Sequence, residues 1–165
     1  MPSRDAGSSA NDTLKPAIKH IQAGRLDLAE AQLRRICGKP GADEQGLLML
    51  AQVLIDQQKT EQAAFELERA IRARPQSAPP RLMMGKAWMA AGRYARALRV
   101  LEEGVGVCPD DADLCTSSGV VCLQLGRMAE AETWFRRALD LRAGDAAATV
   151  WLAQTLSGSL RTDQA

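Results

Sequence analysis

A period of 34 residues constrains the fold of this chain more than any other feature of its sequence. Residues 34 positions apart form one column of the repeat, and this column lies between two segments with periodic apolar residues. Its members are Gly24, Gln58, Gly92 and Gly126. The position that follows is always a cation, at Arg25, Lys59, Arg93, Arg127 and Arg161. Because chance rarely gives such columns, the sequence predicts a tandem array of one repeating unit.

Two further columns at the same period indicate how the units pack. Small residues recur in the first segment of each unit, at Ala17, Ala51, Gly85, Gly119 and Ala153, and early in the second, at Ala29, Ala63, Ala97, Ala131 and Ala165. Larger apolar residues follow in the second segments, at Leu33, Leu67, Leu101 and Phe135. Apolar spacings of three, four and seven indicate amphipathic helices. Such units cannot bury their apolar faces alone, so neighbours must stack into a solenoid.

The third unit carries a family pattern. Met84-Gly85 and Trp88, then Ala97 and Leu101, then Pro109 resemble the tetratricopeptide repeat, with Met for the usual Leu and Leu for the usual Phe. The resemblance covers residues 13–165. It implies an all-α, right-handed superhelical solenoid of antiparallel helix pairs, about four and a half repeats long. It also implies a scaffold for protein partners, a family role that brings no catalytic residues.

The repeat register predicts the domain boundaries. Residues 1–12 are small and polar without apolar periodicity, so we expect a disordered tail before a repeat domain over 13–165. The repeats are expected at about 10–43, 44–77, 78–111 and 112–145, with a partial one at 146–165. Predicted helices are 13–23, 26–38, 44–57, 60–73, 78–91, 94–107, 112–125, 128–141 and 146–157, with 160–165 in the register of another second helix. The residues expected to cap first helices are Asp43, Ser77, Asp111 and Asp145.

Charge and hydropathy argue against nucleic acid and membranes as partners. The formal net charge of +1 gives no long-range field that would attract nucleic acid or an acidic membrane. No apolar run resembles a signal peptide or a membrane span, so we expect no membrane partner and a cytoplasmic location. The cation column falls at the ends of first helices, where positive charge favours the helix dipole.

The cysteines and the single histidine predict no metal or cofactor site. Cys115 and Cys122 lie about 10.5 Å apart along one helix, too far for a disulfide. Neither these two nor Cys37 and Cys108 have the spacing of a zinc site, and we expect them to be reduced core residues. His20 has no metal-ligating residue one helical turn away, so we expect it at a packing seam. Since no catalytic constellation is recognisable, the sequence predicts that the chain is not an enzyme.

The outward stripe of the first helices is the candidate binding surface, because it is largely apolar where solvent-facing positions would normally be polar. We predict that it forms a concave groove for an apolar or amphipathic peptide. The groove residues are Leu48, Met49, Gln52, Leu82, Met83, Lys86, Met89, Val120 and Trp151. Gln52 and Lys86 would orient the peptide, and the same stripe includes Leu14 and Ser117. The family's carboxylate-clamping subgroup uses Lys and Asn on this face, and only Lys86 and Lys15 match it.

Two classes of function remain open at this stage. The first is a protein-interaction scaffold, whose partner is a protein or peptide. The second is an N-terminal accessory domain of a longer enzyme such as a transferase, where the repeats would orient substrate or mediate assembly. The end of the array also predicts self-association, because Trp151, Leu152 and Leu156 would lack a covering helix.

Overall fold

The computed structural model of the protein describes residues 6–38 and 41–162, and over these ranges the secondary structure is helices joined by short turns. The helices within them are α1 (Ala6–Gln22), α2 (Leu26–Cys37), α3 (Glu44–Asp56), α4 (Thr60–Ala73), α5 (Pro79–Ala90), α6 (Tyr94–Val107), α7 (Ala112–Gln124), α8 (Met128–Leu141) and α9 (Ala146–Thr162). The predicted all-α class of paired helices is therefore confirmed.

Contacts divide the chain into two compact units, Met1–Pro75 and Gln76–Ala165. In the first unit, α1 to α4 contact one another in sequence order. In the second unit, α5 to α9 do the same, and the first helices α5, α7 and α9 also contact each other in order. Helices that follow short connections and pack on their predecessors run antiparallel. In the second unit the first helices α5, α7 and α9 therefore lie side by side.

The turns between the helices of a pair need a residue with positive φ, and the first column of the 34-residue period supplies it. Gly92 takes a positive φ of 70°, and Gln58 takes φ 62° in the equivalent turn. The next residue then donates its N–H to a carbonyl five residues back, from Arg93 to Trp88 at 2.8 Å and from Lys59 to Leu54 at 2.8 Å. These bonds satisfy helix-end carbonyls that would otherwise lack a donor. This column of positive-φ residues thus marks the turns that follow α1, α3, α5 and α7.

The small-residue column allows close contact between the two helices of a pair. A Cβ added to Gly85 would lie 2.5 Å from Leu101 Cδ2, and one added to Gly119 would lie 2.5 Å from Phe135 Cε1. Both partner side chains are fully buried. Leu101 of α6 and Phe135 of α8 therefore pack directly onto the backbones of α5 and α7.

Both ends of the helical array differ from the prediction. The first helix begins at Ala6 rather than at residue 13, so residues 6–12 of the expected tail are helical, while residues 1–5 lie outside the described ranges. The predicted end of the last first helix at residue 157 is wrong, because α9 continues to Thr162. The turn position of the repeat register there is residue 160, which lies within α9. Residues 163–165 lie outside the described ranges.

Two of the four predicted helix caps are confirmed. Asp111 accepts from the backbone N–H of Leu114 at 3.0 Å, and Asp145 accepts from that of Ala148 at 3.1 Å. Asp43 precedes α3 but makes no such bond, and its carboxylate lies 3.7 Å from Arg74 Nη2. The prediction for Ser77 is wrong, since α5 begins at Pro79. Proline needs no N–H partner at the first helical position, so the helix starts without a side-chain cap.

Candidate functional site

The predicted groove residues fall in both units. In the first unit, Leu48 and Met49 lie on α3 with partly exposed side chains. Gln52 is exposed, but its amide Nε2 donates to Asp56 Oδ1 at 2.8 Å. The amide that was expected to orient a peptide is therefore already hydrogen-bonded within its own helix.

The second unit holds the other six predicted residues. Leu82, Met83 and Met89 lie partly exposed on α5, where Lys86 is exposed. Val120 on α7 and Trp151 on α9 are also partly exposed. Because α5 contacts α7 and α7 contacts α9, the structure brings these helices together in one unit. We call this surface the first-helix face, made of Leu82, Met83, Lys86, Met89, Val120, Leu123, Val150 and Trp151.

The apolar part of this face is open to solvent to different degrees. Val150 on α9 is the most open, with 54% of its surface exposed. Leu123 lies one helical turn beyond Val120 on α7 and is likewise partly exposed. The prediction that the stripe faces outward is wrong at two positions, because Leu14 is 3% exposed and Ser117 is 8% exposed. Both belong to the packed interior of their units.

Charged side chains border the first-helix face near the start of α7. Arg142 Nη1 donates to Asp113 Oδ1 at 2.8 Å, and its Nη2 donates to Asp113 Oδ2 at 3.3 Å. Arg142 Nη1 also lies 3.3 Å from Asp145 Oδ2. The hydrogen bond from Arg142 lowers the pKa of the Asp113 carboxyl, burial opposes this, and the nearby ammonium of Lys86 lowers it further. The face therefore combines an apolar floor with fixed charges at its edge.

Comparison with known proteins identifies the fold family. The tetratricopeptide repeat profile matches residues 17–79 and 82–154, which is more than half of the chain. The chain belongs to the tetratricopeptide repeat family. No curated protein sequence matches it significantly.

Solved tetratricopeptide repeat structures share this fold at low sequence identity. MamA 41-end from Desulfovibrio magneticus RS-1 is 18% identical with a TM-score of 0.73, covering 93% of this chain and 85% of that one. The first tetratricopeptide repeat of Spaghetti (RPAP3), bound to the HSP90 peptide SRMEEVD, is 17% identical with a TM-score of 0.65, covering 71% and 93%. The Yersinia enterocolitica type III secretion chaperone SycD, in complex with a peptide of the translocator YopD, is 20% identical with a TM-score of 0.63, covering 70% and 93%.

Asp113 and Arg142 border the candidate surface and are absent from the sequence prediction. Asp113 occupies the same repeat position as Pro79 and Ala147, one helical turn before the predicted stripe, so a stripe longer by one turn includes it. Arg142 is the C-cap residue of α8, and Arg74 holds the same position at the end of α4, whereas Cys108 holds it at the end of α6. Arg142 borders the surface because it donates to Asp113, and the repeat pattern alone does not predict that contact.

Within the described residues no group of three or more His, Cys, Asp and Glu side chains could hold a metal ion. Burial raises the pKa of the Cys37 and Cys122 thiols to about 11 and also raises that of Cys115, which suits packed core thiols. The helices described include none that is both long and apolar enough to cross a membrane.

Proposed function

We propose that this tetratricopeptide repeat protein is an interaction scaffold that binds an apolar or amphipathic peptide segment on the first-helix face. The observation that carries the proposal is the row of partly exposed apolar side chains on two contacting helices, Leu82 and Met89 on α5 with Val120 and Leu123 on α7. Contiguous apolar side chains of this kind suit a peptide that lays one apolar face into a groove. The surface in the first unit around Leu48, Met49 and Gln52 is proposed as a site of the same kind.

The charged edge would give the peptide its direction. Lys86 is exposed on α5 between the apolar residues Leu82 and Met89, so a carboxylate on the peptide would meet it beside the apolar floor. The Asp113 carboxylate is engaged by Arg142, which leaves Lys86 as the cation that faces the floor. Two relatives of the same fold have peptides bound in their solved structures, which supports a peptide as the ligand class.

The proposal is tested by partner capture with matched variants of the full chain. Met89→Glu and Val120→Glu each place a charge on the apolar floor, and both should reduce the retained partner at least about tenfold, as for central interface residues. Met128→Glu is the control, because Met128 is 39% exposed on the second helix α8 of the same unit. It should capture as wild type does. Partner proteins are identified by mass spectrometry, and folding is checked by circular dichroism and melting temperature.

Peptides from the retained partner then locate the ligand. We expect one segment with an apolar face to bind wild type and Met128→Glu alike, and to bind neither face variant. Equal capture by all variants would contradict the proposed site. Unfolding of both face variants would show that Met89 and Val120 are structural, and the proposal would then be wrong.

A further inference from the structure

We infer that a further binding site lies on the second helix α4 and takes an acidic peptide segment that presents one aromatic side chain. We call this site the Phe65 cavity, and the residues that line it include Gly41, Ala42, Leu47, Phe65, Arg69 and Arg72. All six belong to the first unit. None of them belongs to the first-helix face or to the surface around Leu48, Met49 and Gln52, so the inference is independent of the proposed function.

Phe65 is exposed at a position where the repeat does not require an apolar residue. It is 58% exposed. The equivalent positions of the other repeats hold Ala31, Arg99 and Thr133, which are exposed as well. An aromatic ring here therefore contributes little to the packing of the repeat. Because single exposed apolar residues are common on protein surfaces, the surroundings of Phe65 decide whether it can bind a ligand.

Phe65 lines a cavity of about 420 Å³ together with residues from other parts of the first unit. Arg69 and Arg72 follow Phe65 on α4 at spacings of four and seven, so the three residues share one face of the helix. Leu47 comes from α3 and is 2% exposed, and Gly41 comes from the turn before α3. Ligand clefts are concave and mostly apolar, with volumes of about 300–1,000 Å³. The cavity can therefore shield an apolar side chain of a ligand against the Phe65 ring.

Arg69 is the fixed cation of the cavity. Its Nη1 lies 2.6 Å from Glu66 Oε2, and its Nη2 donates to the Cys37 carbonyl at 2.7 Å. Glu66 is 5% exposed and also lies 4.0 Å from Arg34 Nη1, so its charge is shared between two guanidinium groups. A guanidinium has five N–H donors in a planar fork. These contacts hold Arg69 in place and leave donors of the same group for a ligand carboxylate.

Arg72 adds a second cation that is loosely held. Its side chain is exposed, and its Nη1 lies 3.9 Å from Oε2 of Glu68, which is exposed as well. Solvent screens such a pair, so Glu68 compensates the charge of Arg72 only weakly. Among the described residues that line the cavity, none is acidic. The cavity thus offers one aromatic ring and two guanidinium groups, which suits a ligand with an aromatic group and carboxylates.

The same combination fits a peptide better than a nucleic acid. Arginine binds carboxylate and phosphate alike, and an aromatic ring stacks on side chains and on bases. Nucleic-acid binding depends on many phosphate contacts along a basic groove, whereas this cavity has two cations in a chain of net charge +1. One aromatic side chain beside one or two carboxylates matches what the cavity offers.

An array of short synthetic peptides tests the inference with the full chain. The peptides carry Trp, Phe, Leu or Ala at the centre and acidic, neutral or basic residues on both sides, and fluorescence anisotropy gives the Kd of those that bind. We expect the tightest binding for an aromatic centre with acidic flanks. An alanine centre or basic flanks should weaken binding at least about tenfold. Added salt should weaken it as well, because exposed charge pairs are screened.

Two variants and two matched controls locate the site. Phe65→Thr gives α4 the residue type of the equivalent Thr133 and should weaken peptide binding at least about tenfold. Arg72→Glu reverses an exposed charge and should weaken binding by a similar factor. Leu28→Thr and Arg99→Glu are the controls, because Leu28 is 49% exposed on α2 and Arg99 is exposed on α6. Both should bind as wild type does, and melting temperatures check the folding of all four variants.

Several results would overturn the inference. One is a wild-type chain that binds no peptide of the array, and another is a preference for basic flanks. A third is equal binding by wild type and Phe65→Thr, and where that variant does not fold, equal binding by Arg72→Glu decides. A fourth is that Phe65→Thr loses binding to single-stranded oligothymidylate, or loses a dimer seen in sedimentation equilibrium, while no peptide binds. The occupant would then be a nucleic acid or a second copy of this chain.

The two proposals fail separately. Met89→Glu should lose the partner of the first-helix face and keep its affinity for the acidic array peptides. Phe65→Thr should lose those peptides and keep the partner. If Met89→Glu abolishes binding of the array peptides, they occupy the first-helix face and the assignment to the Phe65 cavity is wrong.

Discussion

Lys59 Nζ lies 2.7 Å from Glu30 Oε2 and so joins the turn before α4 to α2 within the first unit. The other oxygen of Glu30 accepts from Arg34 Nε at 2.8 Å. The Glu30 side chain is only 14% exposed, so this carboxylate is held between two cations rather than on a solvated face. The repeating cation therefore has a tertiary role at Lys59, which is the N-cap residue of α4.

Glu30→Gln should destabilise the protein by about 1 kcal/mol, because the amide keeps the shape of the side chain and loses its charge. The value is modest because Lys59 and Arg34 are themselves 39% and 43% exposed, and solvent screens both pairs. Urea unfolding followed by circular dichroism measures it. Glu103→Gln is the control, since its contact with Arg99 is 4.0 Å long and exposed. Equal effects of the two changes would contradict this account.

Acid should remove the contribution of Glu30. The hydrogen bond from Lys59 lowers the pKa of this carboxyl, burial opposes the effect, and Arg34 adds to the lowering. Because the folded pKa lies below the unfolded value of about 4.3, the stabilisation is complete above that pH and is lost as the pH falls through the folded pKa. The stability difference between wild type and Glu30→Gln should therefore shrink with acidification. A difference that stays constant between about pH 7 and pH 3 would contradict the assignment.

Gly119→Ala should destabilise the second unit by about 1–3 kcal/mol, because the new Cβ would lie 2.5 Å from Phe135 Cε1. Phe135 is fully buried and cannot move aside without disturbing its neighbours. Gly106→Ala is the control, since a Cβ there meets nothing within 4 Å in α6. That change should be neutral or stabilising by up to about 1 kcal/mol. Equal responses in urea unfolding would show that the close approach is not limiting.

The repeating parts of this structure could be predicted because one physical requirement recurs at a fixed interval. Gly92 marks a turn that needs positive φ, and Gly119 marks a helix contact that leaves no room for a side chain. Both requirements restrict which amino acid can occupy the position, so the same small residues recur there in the sequence. The apolar residues Met89 and Val120 were likewise predicted from helical spacing, and the structure leaves both partly exposed.

Contacts that occur once could not be predicted in this way. Arg142 pairs with Asp113, whereas Arg74 at the equivalent repeat position lies near Asp43 and Glu44, so the period does not specify which carboxylate the arginine meets. The repeat register predicts a turn at residue 160, but α9 continues through it to Thr162. Leu14 and Ser117 lie at repeat positions that are open elsewhere, and local packing buries them.

Cys108 should be the one thiol of the four that reacts readily with iodoacetamide in the folded protein. Cys37 and Cys122 are buried, with pKa values raised to about 11, and burial also raises the pKa of Cys115. At a pH of about 8, a thiol with a pKa of about 11 is thiolate for roughly one part in a thousand, and thiolate is the reactive form. Cys108 is partly exposed. Mass spectrometry should show that one thiol is alkylated rapidly in buffer and four are alkylated in denaturant. Rapid alkylation of more than one thiol in buffer would contradict the burial of the other three cysteines.

Gln58→Gly should stabilise the first unit by about 0.5–1 kcal/mol. Gln58 adopts φ 62°, a left-handed conformation that costs a residue with a side chain about 1–2 kcal/mol, and glycine adopts it without strain. The gain is smaller than this cost because glycine loses more chain entropy on folding. The reciprocal change tests the same physics, since Gly92 has φ 70° and open space around its missing Cβ. Gly92→Gln should therefore destabilise the second unit by a similar amount, and urea unfolding measures both. Changes of the same sign would show that turn strain does not set the energetics of this column.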